Sequence, residues 1–488
     1  MPASPELPHE WPLERPNERP NERSRLAGFV IDTRPLRGRE FRLLWLGELI
    51  SETGSNIAVV ALYVQVYRIT GSALAVGGIG LVQFVPILLS ALFGAPLVDR
   101  HDRRSILLIA HWCEAGAALL LVAGVWIGSP PLALVYFAAA LVAGSGSLAL
   151  AARSAMTPNL VAPDELPAAL ALNQAMWNTC LIVGPAVGGV LIARFGLGIA
   201  YGLNLVTFAA ALISVRLMLP HPSRQPQTRP QRHPDKQAQT RPESQELTPS
   251  SPTSTRGPAE VATGDSTDNS INDSTNAGGL DESEEVGWER ITAGFRYLKG
   301  RRVLQATFIV DLIAMIFGMP RALFPILAVV QFGGGPELVG LLFSAVAVGA
   351  LIGALTSGWV HRIRRQGLAV LLAVAVWGAG ILAFGASGSN VGLALGCLLV
   401  AGGADVISAV FRNTILQRSV PDDLRGRLSG IHILVVTGGP RLGDMEAGLV
   451  ATLTSPTVSV ISGGVICILA VGLLAIFMPS FTRYRAPE

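Results

Sequence analysis

Hydrophobic residues form twelve long stretches along the chain, separated by short polar segments. Each stretch supplies the roughly 20 apolar residues that a helix needs to cross a bilayer. The pattern therefore predicts an all-α membrane protein with twelve transmembrane helices, called spans 1 to 12. The spans cover residues 43–66, 73–97, 105–127, 131–152, 168–193, 197–219, 303–330, 337–360, 367–386, 390–411, 427–452 and 456–479.

A long polar segment divides the spans into two sets of six, so we predict two six-helix halves at 41–219 and 288–480. Residues 220–287 are rich in Pro, Gln, Ser, Thr and Asp and contain almost no apolar positions, which predicts a disordered linker. The first 40 residues also lack an apolar run, which indicates a disordered tail and not a signal peptide. Residues 481–488 are predicted to form a second tail.

The two halves repeat one another. VAPDELPAALALN at 161–173 aligns with SVPDDLRGRLSGI at 419–431, and GPAVGG at 184–189 lies 255 residues before GPRLGD at 439–444. Two six-helix halves repeated in the same orientation are a transporter architecture, with the substrate site between the halves near the bilayer midplane.

Arginine placement predicts the orientation, because cytoplasmic loops carry an excess of Lys and Arg. One set of loops has eleven arginines and the other has only Arg68 and Arg194, so both termini are predicted to be cytoplasmic. Just before span 7, Trp288, Ile291 and Phe295 predict an amphipathic helix at the cytoplasmic interface. The arginine-rich loops contain Arg100, Arg103, Arg104, Arg153, Arg362, Arg364, Arg365, Arg412, Arg418, Arg425 and Arg427.

Composition agrees with this prediction and excludes several functions. Half of the residues are hydrophobic and only 15% are charged, against about a quarter in soluble domains. A net charge of +3 does not argue for nucleic acid as a partner. The four cysteines lie singly in apolar stretches, so we interpret them as core residues and predict no metal site and no cofactor. Almost all basic residues are Arg, which we interpret as the composition of a bacterial genome.

GAPLVDRHDRRS, between spans 2 and 3, resembles the signature loop of the major facilitator superfamily, G-x-L-x-D-R-x-G-R-R. Ala95 and Asp102 stand where glycines are usual. The resemblance implies that Asp99 and Arg103 lock the two halves in the outward-facing state through a charge relay. The alternative is a simple positively charged turn. The matching positions are Leu97, Asp99, Arg100, Arg103 and Arg104.

GPAVGG in span 5 matches the core G-P-x-x-G-G of a motif associated with antiporters, which are exporters, of this superfamily. Pro185 removes a backbone hydrogen bond and is expected to bend the helix. Gly184, Gly188 and Gly189 would let another helix pack closely. The resemblance implies export, although helix packing alone would also explain the glycines.

Within the superfamily, several stretches look like the enterobactin exporter family, which also contains actinobacterial drug-efflux pumps. They are REFRLLWLGELIS, ITAGFRYL, MPRALFPILA, GALIGALTSG and LRGRLSGI, and they occur in both halves. The resemblance implies the major facilitator fold and a small-molecule substrate, either a siderophore or an amphiphilic drug. We expect a monomer in the bilayer.

Ionisable residues inside the spans are the candidate functional residues, because an ionised side chain at a helix centre costs roughly 2.5 to 3.5 kcal/mol on insertion scales. In span 11, Arg441 and Asp444 fall on one face a turn apart and can pair. Glu446 points nearly opposite and needs another partner. In span 3, His111 and Glu114 are more consistent with a local hydrogen-bonded pair than with a relay.

A buried carboxylate can take up and release a proton as a cavity changes its exposure, which is the chemistry of proton coupling. Arginines beside such carboxylates could tune them or hold an anionic group of the substrate. A cationic drug would instead favour Glu52, Asp311 and Asp405. The proton-coupling candidates are Glu48, Glu52, Asp311, Asp405, Asp444 and Glu446. The substrate-binding candidates are Arg321, Arg441 and Asn56, with Pro320 beside Arg321 expected to break span 7.

The leading hypothesis is a proton-coupled exporter of small molecules in the bacterial cell membrane. Nutrient import by proton symport is the alternative, and the antiporter motif in span 5 counts against it. An intramembrane enzyme would need a catalytic set such as H-E-x-x-H, and direct use of ATP would need G-x-x-x-x-G-K-[ST]. The sequence contains neither motif, so we predict a transporter and not an enzyme.

Overall fold

A computed structural model describes residues 32–128, 130–219, 296–420 and 422–485 of the chain. Its long helices are labelled α1 to α12, and the seventh is divided into α7a and α7b. In the first half they are Arg39–Thr70, Ala73–Arg100, Arg103–Ile127, Leu132–Leu160, Leu166–Phe195 and Leu197–Leu217. In the second half they are Arg302–Phe317 with Phe324–Val330, Pro336–Thr356, Gln366–Gly385, Val391–Ser419, Asp422–Leu453 and Pro456–Phe477.

All twelve predicted spans are helices in the structure. Eleven of the described helices are long and apolar enough to cross a membrane. The remaining one, α11, has 32 residues and contains the charged stretch that includes Arg441 and Asp444. The fold is therefore the predicted all-α membrane architecture.

Local chemistry explains where several of these helices begin and end. Gly71 has a φ of 60°, a left-handed conformation that favours glycine, and its N–H closes α1 on the carbonyl of Tyr67. Ser72 then caps α2 by accepting from Ala75 N. Asn390 caps α10 in the same way. These caps allow very short turns between long helices.

The predicted break in span 7 is confirmed. Helix α7a ends at Phe317, residues 321–323 form a single 3-10 turn, and α7b begins at Phe324. Pro320 precedes that turn and has no backbone N–H, so the helical hydrogen-bond ladder is interrupted there. The break leaves backbone donors available to other parts of the molecule.

The two halves meet along α2 with α11 and along α5 with α8. Gly77 and Gly80 of α2 lie directly against the backbone of α11 at Asp444 and Arg441. Ser344 Oγ of α8 donates to the carbonyl of Ile182 in α5 at 2.7 Å. These contacts lie toward one end of the bundle, here called the distal end, where α1 and α11 finish.

One part of the predicted loop assignment is wrong. Arg153 and Arg412, which were expected in loops, lie inside α4 and α10 and are only 9% and 3% exposed. Both helices continue past their apolar runs, to Leu160 and Ser419, so the arginines enter the protein interior. The predicted sidedness of the termini stays a prediction.

Several predicted segments lie outside the described residues. They are the linker 220–287, the tail up to residue 31, and the interfacial helix up to residue 295. Only the last turn of that helix is described, and residues 296–298 are helical there.

Candidate functional site

A buried arginine of α4 holds two carboxylates of α1. Arg153 Nη1 donates to Glu48 Oε2 and lies 3.4 Å from Glu52 Oε1. Glu48 is 4% exposed, whereas the Glu52 side chain is 22% exposed. The four-residue spacing in α1 places both acids on one helix face toward α4. Both acids are among the predicted coupling residues, and the structure brings them to one arginine.

A histidine–glutamate pair of α3 borders this arginine cluster. His111 Nδ1 lies 2.8 Å from Glu114 Oε2, as expected for a local hydrogen-bonded pair. The other ring nitrogen, Nε2, lies 3.4 Å from Glu48 Oε1. Both residues of the pair are buried. The pair therefore also connects α3 electrostatically with α1.

The second half contains a comparable cluster around an arginine of α10. Arg412 Nη2 lies 3.0 Å from Asp311 Oδ1 of α7a and 3.9 Å from Asp405 Oδ1 of its own helix. Asp311 is 1% exposed, whereas the Asp405 side chain is 22% exposed. His432 of α11 packs its ring near Phe308, with 6.4 Å between the ring centroids. Asp311 and Asp405, predicted from separate spans, thus share one cation.

Another buried carboxylate, Asp444 of α11, connects the two halves at the distal end. Tyr63 of α1 donates its hydroxyl to Asp444 Oδ2 of α11 at 2.6 Å. The N–H of Ala322, at the break in span 7, donates to Oδ1 at 3.2 Å. Asp444 has no exposed surface. A broken helix that offers a backbone donor to a charged group is typical of transporter sites.

The predicted pairing of Arg441 with Asp444 is not found among the ion pairs of the described residues. Asp444 instead accepts one hydrogen bond on each carboxylate oxygen, from Tyr63 and from the N–H of Ala322, and these bonds satisfy the buried carboxylate without the arginine. Arg441 is half-buried.

The remaining candidates from the sequence are Arg321, Asn56 and Glu446. Arg321 forms the turn at the helix break, is half-buried, and its Nε has no hydrogen-bonding partner among the described residues. Asn56 Nδ2 donates to the carbonyl of Glu52 in its own helix at 2.8 Å. Glu446 is half-buried and lies within electrostatic range of Cys467 in α12. Asp444 bonds to Tyr63 and to Ala322, and neither of these partners bonds to Glu446 among the described residues.

The signature loop is bound to its own half in this conformation. Arg103 Nη1 donates to the carbonyl of Ala155 in α4 at 2.8 Å. Arg104 donates to the last carbonyls of α6, at Val215 and Arg216. Arg100 is exposed, and the Asp99 side chain lies outside the described part of the structure.

The departure at Asp102 also has a structural reason. Its Oδ2 accepts from the N–H of Ser105 at 3.0 Å and from the Ser105 hydroxyl at 2.8 Å, so Asp102 caps the N-terminus of α3. A glycine could not supply these bonds.

The glycines of the antiporter motif are packing residues in this structure. A Cβ at Gly188 would lie 3.1 Å from Ile57 Cα of α1, and a Cβ at Gly189 would lie 2.6 Å from the carbonyl of Pro336 in α8. Gly184 faces Asn56 and Thr53 of α1. The motif therefore places α5 in backbone contact with one helix of each half, and α5 remains helical through Pro185.

Sequence reasoning missed three residues of these clusters: Arg153, Arg412 and Tyr63. A signal for the arginines existed, because each lies nine or ten residues before the Pro-Asp pair that the two halves share. Tyr63 had no such signal, since tyrosine in an apolar helix is common at interfaces. Among the described residues, no set of three or more His, Cys, Asp or Glu side chains is placed to hold a metal ion.

Comparisons with known proteins agree with the architecture. The sequence model of the Major Facilitator Superfamily matches residues 44–443. The enterobactin exporter EntS of Citrobacter koseri is 24% identical over 450 residues, which are 92% of this chain and 94% of that protein.

Two solved structures of a bacterial homologue of the iron transporter ferroportin, one inward-facing and one outward-facing, share the fold. In the inward-facing state the TM-score is 0.61 at 16% identity, covering 91% of this chain and 98% of that one. In the outward-facing state the TM-score is 0.52 at 16% identity, covering 91% and 99%.

Proposed function

The chain belongs to the major facilitator superfamily of membrane transporters, and we propose that it is a proton-coupled exporter of small molecules. It is a multi-pass membrane protein. We place it in the bacterial cell membrane with both termini in the cytoplasm, as the arginine distribution favours.

The observation that carries proton coupling is Glu52 beside Arg153. This carboxylate lies 3.4 Å from a buried arginine and keeps 22% of its side chain exposed, so solvent in a cavity can reach it. Arg153 is also engaged with the more deeply buried Glu48. Among the described residues, Arg153 is the one arginine that pairs with Glu52, and Glu48 shares it. A carboxylate whose charge is not fully neutralised inside a membrane protein is costly, so Glu52 is favoured to bind a proton.

Export is supported by relatives and by conformation. The related proteins from enteric bacteria are exporters of enterobactin. In the proposed orientation the distal end is the outer one, and the contacts of Tyr63 with Asp444 and of Ser344 with Ile182 close it. With the outer end held by these contacts, the cytoplasmic side is the one from which a substrate would enter, as an exporter requires.

We propose a siderophore-like anion as the substrate. Arg321 and Arg441 both lie within electrostatic range of the Tyr63 hydroxyl, and neither forms an ion pair among the described residues. Two half-buried guanidinium groups near a helix break suit the phenolate or hydroxamate oxygens of an iron-free siderophore. Arg321 and Arg441 would bind the substrate in the central cavity between the two halves. We propose that the protein acts as a monomer.

The test is substrate-driven proton flux. Purified protein would be reconstituted into liposomes with an internal pH-sensitive dye and an imposed proton gradient, and iron-free enterobactin or ethidium would be added. We expect enterobactin to trigger flux, Glu52→Gln to lower the number of protons moved per substrate, and the exposed loop variant Asp164→Asn to behave like the original protein.

Other outcomes separate the alternatives. Flux with ethidium alone would make the protein an exporter of cations and would contradict the siderophore proposal. Accumulation of substrate in the same direction as proton movement would favour the nutrient importer. Folded protein that gives no flux with either probe would argue against proton coupling.

A further inference from the structure

We propose that each half of the transporter carries its own exchangeable proton, one at Glu52 and one at Asp405, so that two protons move per transport cycle. This inference rests on the proposed proton-coupled function. It assigns a second proton site, in the half that contains Asp405, and a stoichiometry.

The two arginine-centred clusters are related by the internal repeat. Glu48 is the tenth residue of α1, and Asp311 is the tenth residue of α7a. Each of these acids contacts an arginine on the fourth helix of its half, Arg153 of α4 or Arg412 of α10. The similarity of position and partner indicates that duplication of one six-helix unit produced both clusters.

Each cluster then adds a second carboxylate to the same arginine. In the first half it is Glu52, 3.4 Å from the guanidinium, and in the second half it is Asp405, at 3.9 Å. The second acid comes from α1 in one half and from α10 in the other. Both clusters therefore contain one arginine and two carboxylates, although the second carboxylate lies on a different helix in each half. In both clusters the side chain of the second acid is 22% exposed.

Charge counting identifies the acid that binds the proton. One arginine neutralises one carboxylate, and the closer, more buried acids Glu48 and Asp311 take that role. The second acid is then a surplus negative charge in a region of low dielectric, where neutralisation by a proton is favourable. A proton taken from water on one side of the membrane would bind a carboxylate oxygen there and return to water on the other side.

The other groups that face these acids do not remove the surplus. In the first half, His111 lies 2.8 Å from Glu114 and 3.4 Å from Glu48, and it forms no ion pair with Glu52 among the described residues. Cys180 of α5 lies within electrostatic range of Glu52 and carries no cationic charge. In the second half, His432 of α11 packs near Phe308 and forms no ion pair with Asp405 among the described residues.

Within the described part of the chain, Arg412 has unused hydrogen-bond donors, so it can change partners when Asp405 gains or loses a proton. Arg412 Nε and Nη1 have no hydrogen-bonding partner among the described residues. Its Nη2 lies between Asp311 and Asp405. Deprotonation of Asp405 can therefore draw the guanidinium toward it, and protonation returns the guanidinium to Asp311. The same exchange between Glu48 and Glu52 is available to Arg153.

The partners named above lie within one half for each cluster, so the two sites are expected to bind protons independently. A single site shared between the halves would predict that removing either acid abolishes all proton exchange. Two independent sites predict that each removal halves it.

The first experiment needs no substrate. Infrared difference spectra of the purified full-length protein, recorded between acid and neutral pH, resolve the C=O stretch of a protonated acid in an apolar site from that of hydrated acids. We expect two such contributions, with Glu52→Gln removing one, Asp405→Asn removing the other, and the double variant removing both. Asp405→Glu, which keeps a carboxyl group, should retain its contribution, and Asp164→Asn should change nothing.

The second experiment counts protons during transport. In liposomes, the membrane potential at which enterobactin-driven proton flux reverses gives the number of protons per substrate. We expect two for the original protein and one for each single variant. A value of one for the original protein, or an infrared spectrum in which one variant removes everything, would overturn the proposal. Two infrared contributions without flux from enterobactin or ethidium would instead reject the proposed function and retain the two proton sites.

Discussion

The hydrogen bond between Tyr63 and Asp444 is the sharpest test of how the two halves are held together. It connects α1 with α11 at 2.6 Å, and both residues are almost fully buried. We predict that Tyr63→Phe shifts the transporter toward the conformation in which the distal end is open, because the variant keeps the ring and loses only the hydroxyl.

The size of the expected shift follows from the hydrogen bonds that Asp444 loses and keeps. Asp444 would keep one of its two hydrogen bonds, the one from Ala322 N at 3.2 Å. A hydrogen bond to a charged group contributes about 1.5 to 3 kcal/mol, and a tenfold change in a population ratio corresponds to about 1.4 kcal/mol. The population ratio of closed to open distal ends should therefore fall roughly 10- to 150-fold.

Spin-label distances measure this ratio directly. Labels at Arg68 and Leu453 would report on the distal end, because both positions are exposed and lie near the ends of α1 and α11. The label sites require replacement of the free cysteines Cys113, Cys180, Cys397 and Cys467. We expect Tyr63→Phe to transfer population from the short distance to a longer one.

Tyr67→Phe is the matched control. Tyr67 lies one helical turn further along α1, and its hydroxyl has no hydrogen bond in the part of the chain that the structure describes. Its distance distribution should be that of the original protein. If Tyr63→Phe also leaves the distribution unchanged, the bond to Asp444 does not stabilise the closed distal end and the reasoning is refuted.

Three further predictions concern packing, charge and capping. Gly189→Val should abolish transport, because its Cβ would overlap the backbone of α8, whereas Gly202→Ala, with no atom within 4 Å, should transport normally; equal activity in both would contradict the packing role. Arg412→Gln should lower the thermal unfolding temperature by leaving Asp311 buried without its cation, a cost of about 3 to 5 kcal/mol, and the double variant Arg412→Met/Asp311→Leu should unfold at a higher temperature than the single one; the reverse order would show that the pair does not matter. Asp102→Ala should cost about 1 kcal/mol through loss of the α3 cap and Asp102→Gly only a few tenths, measured by chemical unfolding, and equal losses would argue against the capping role.

The buried clusters show which predictions from sequence need a structure. Glu48, Glu52, Asp311 and Asp405 were identified as candidates because a charge inside an apolar span is costly wherever it lies. That argument cannot identify partners. Arg153 and Arg412 were assigned to loops, since the apolar runs stop before them, while the helices continue and carry them into the interior.

The broken helix shows the same division between local and tertiary information. Pro320 predicts the interruption of span 7 from chain chemistry alone. That the freed N–H of Ala322 then binds Asp444, more than a hundred residues away, follows only from how α11 packs against the break.

The sequence by itself determined the twelve helices, their grouping into two repeated halves, the break in span 7 and the list of costly buried charges. These features depend on hydrophobicity, helix period and proline chemistry within one segment. The tertiary structure decided which charges share an arginine, that Asp444 binds Tyr63 and not Arg441, and which residues join the two halves at the distal end. Those outcomes depend on distances between segments far apart in the chain, which helix packing sets and local composition does not encode.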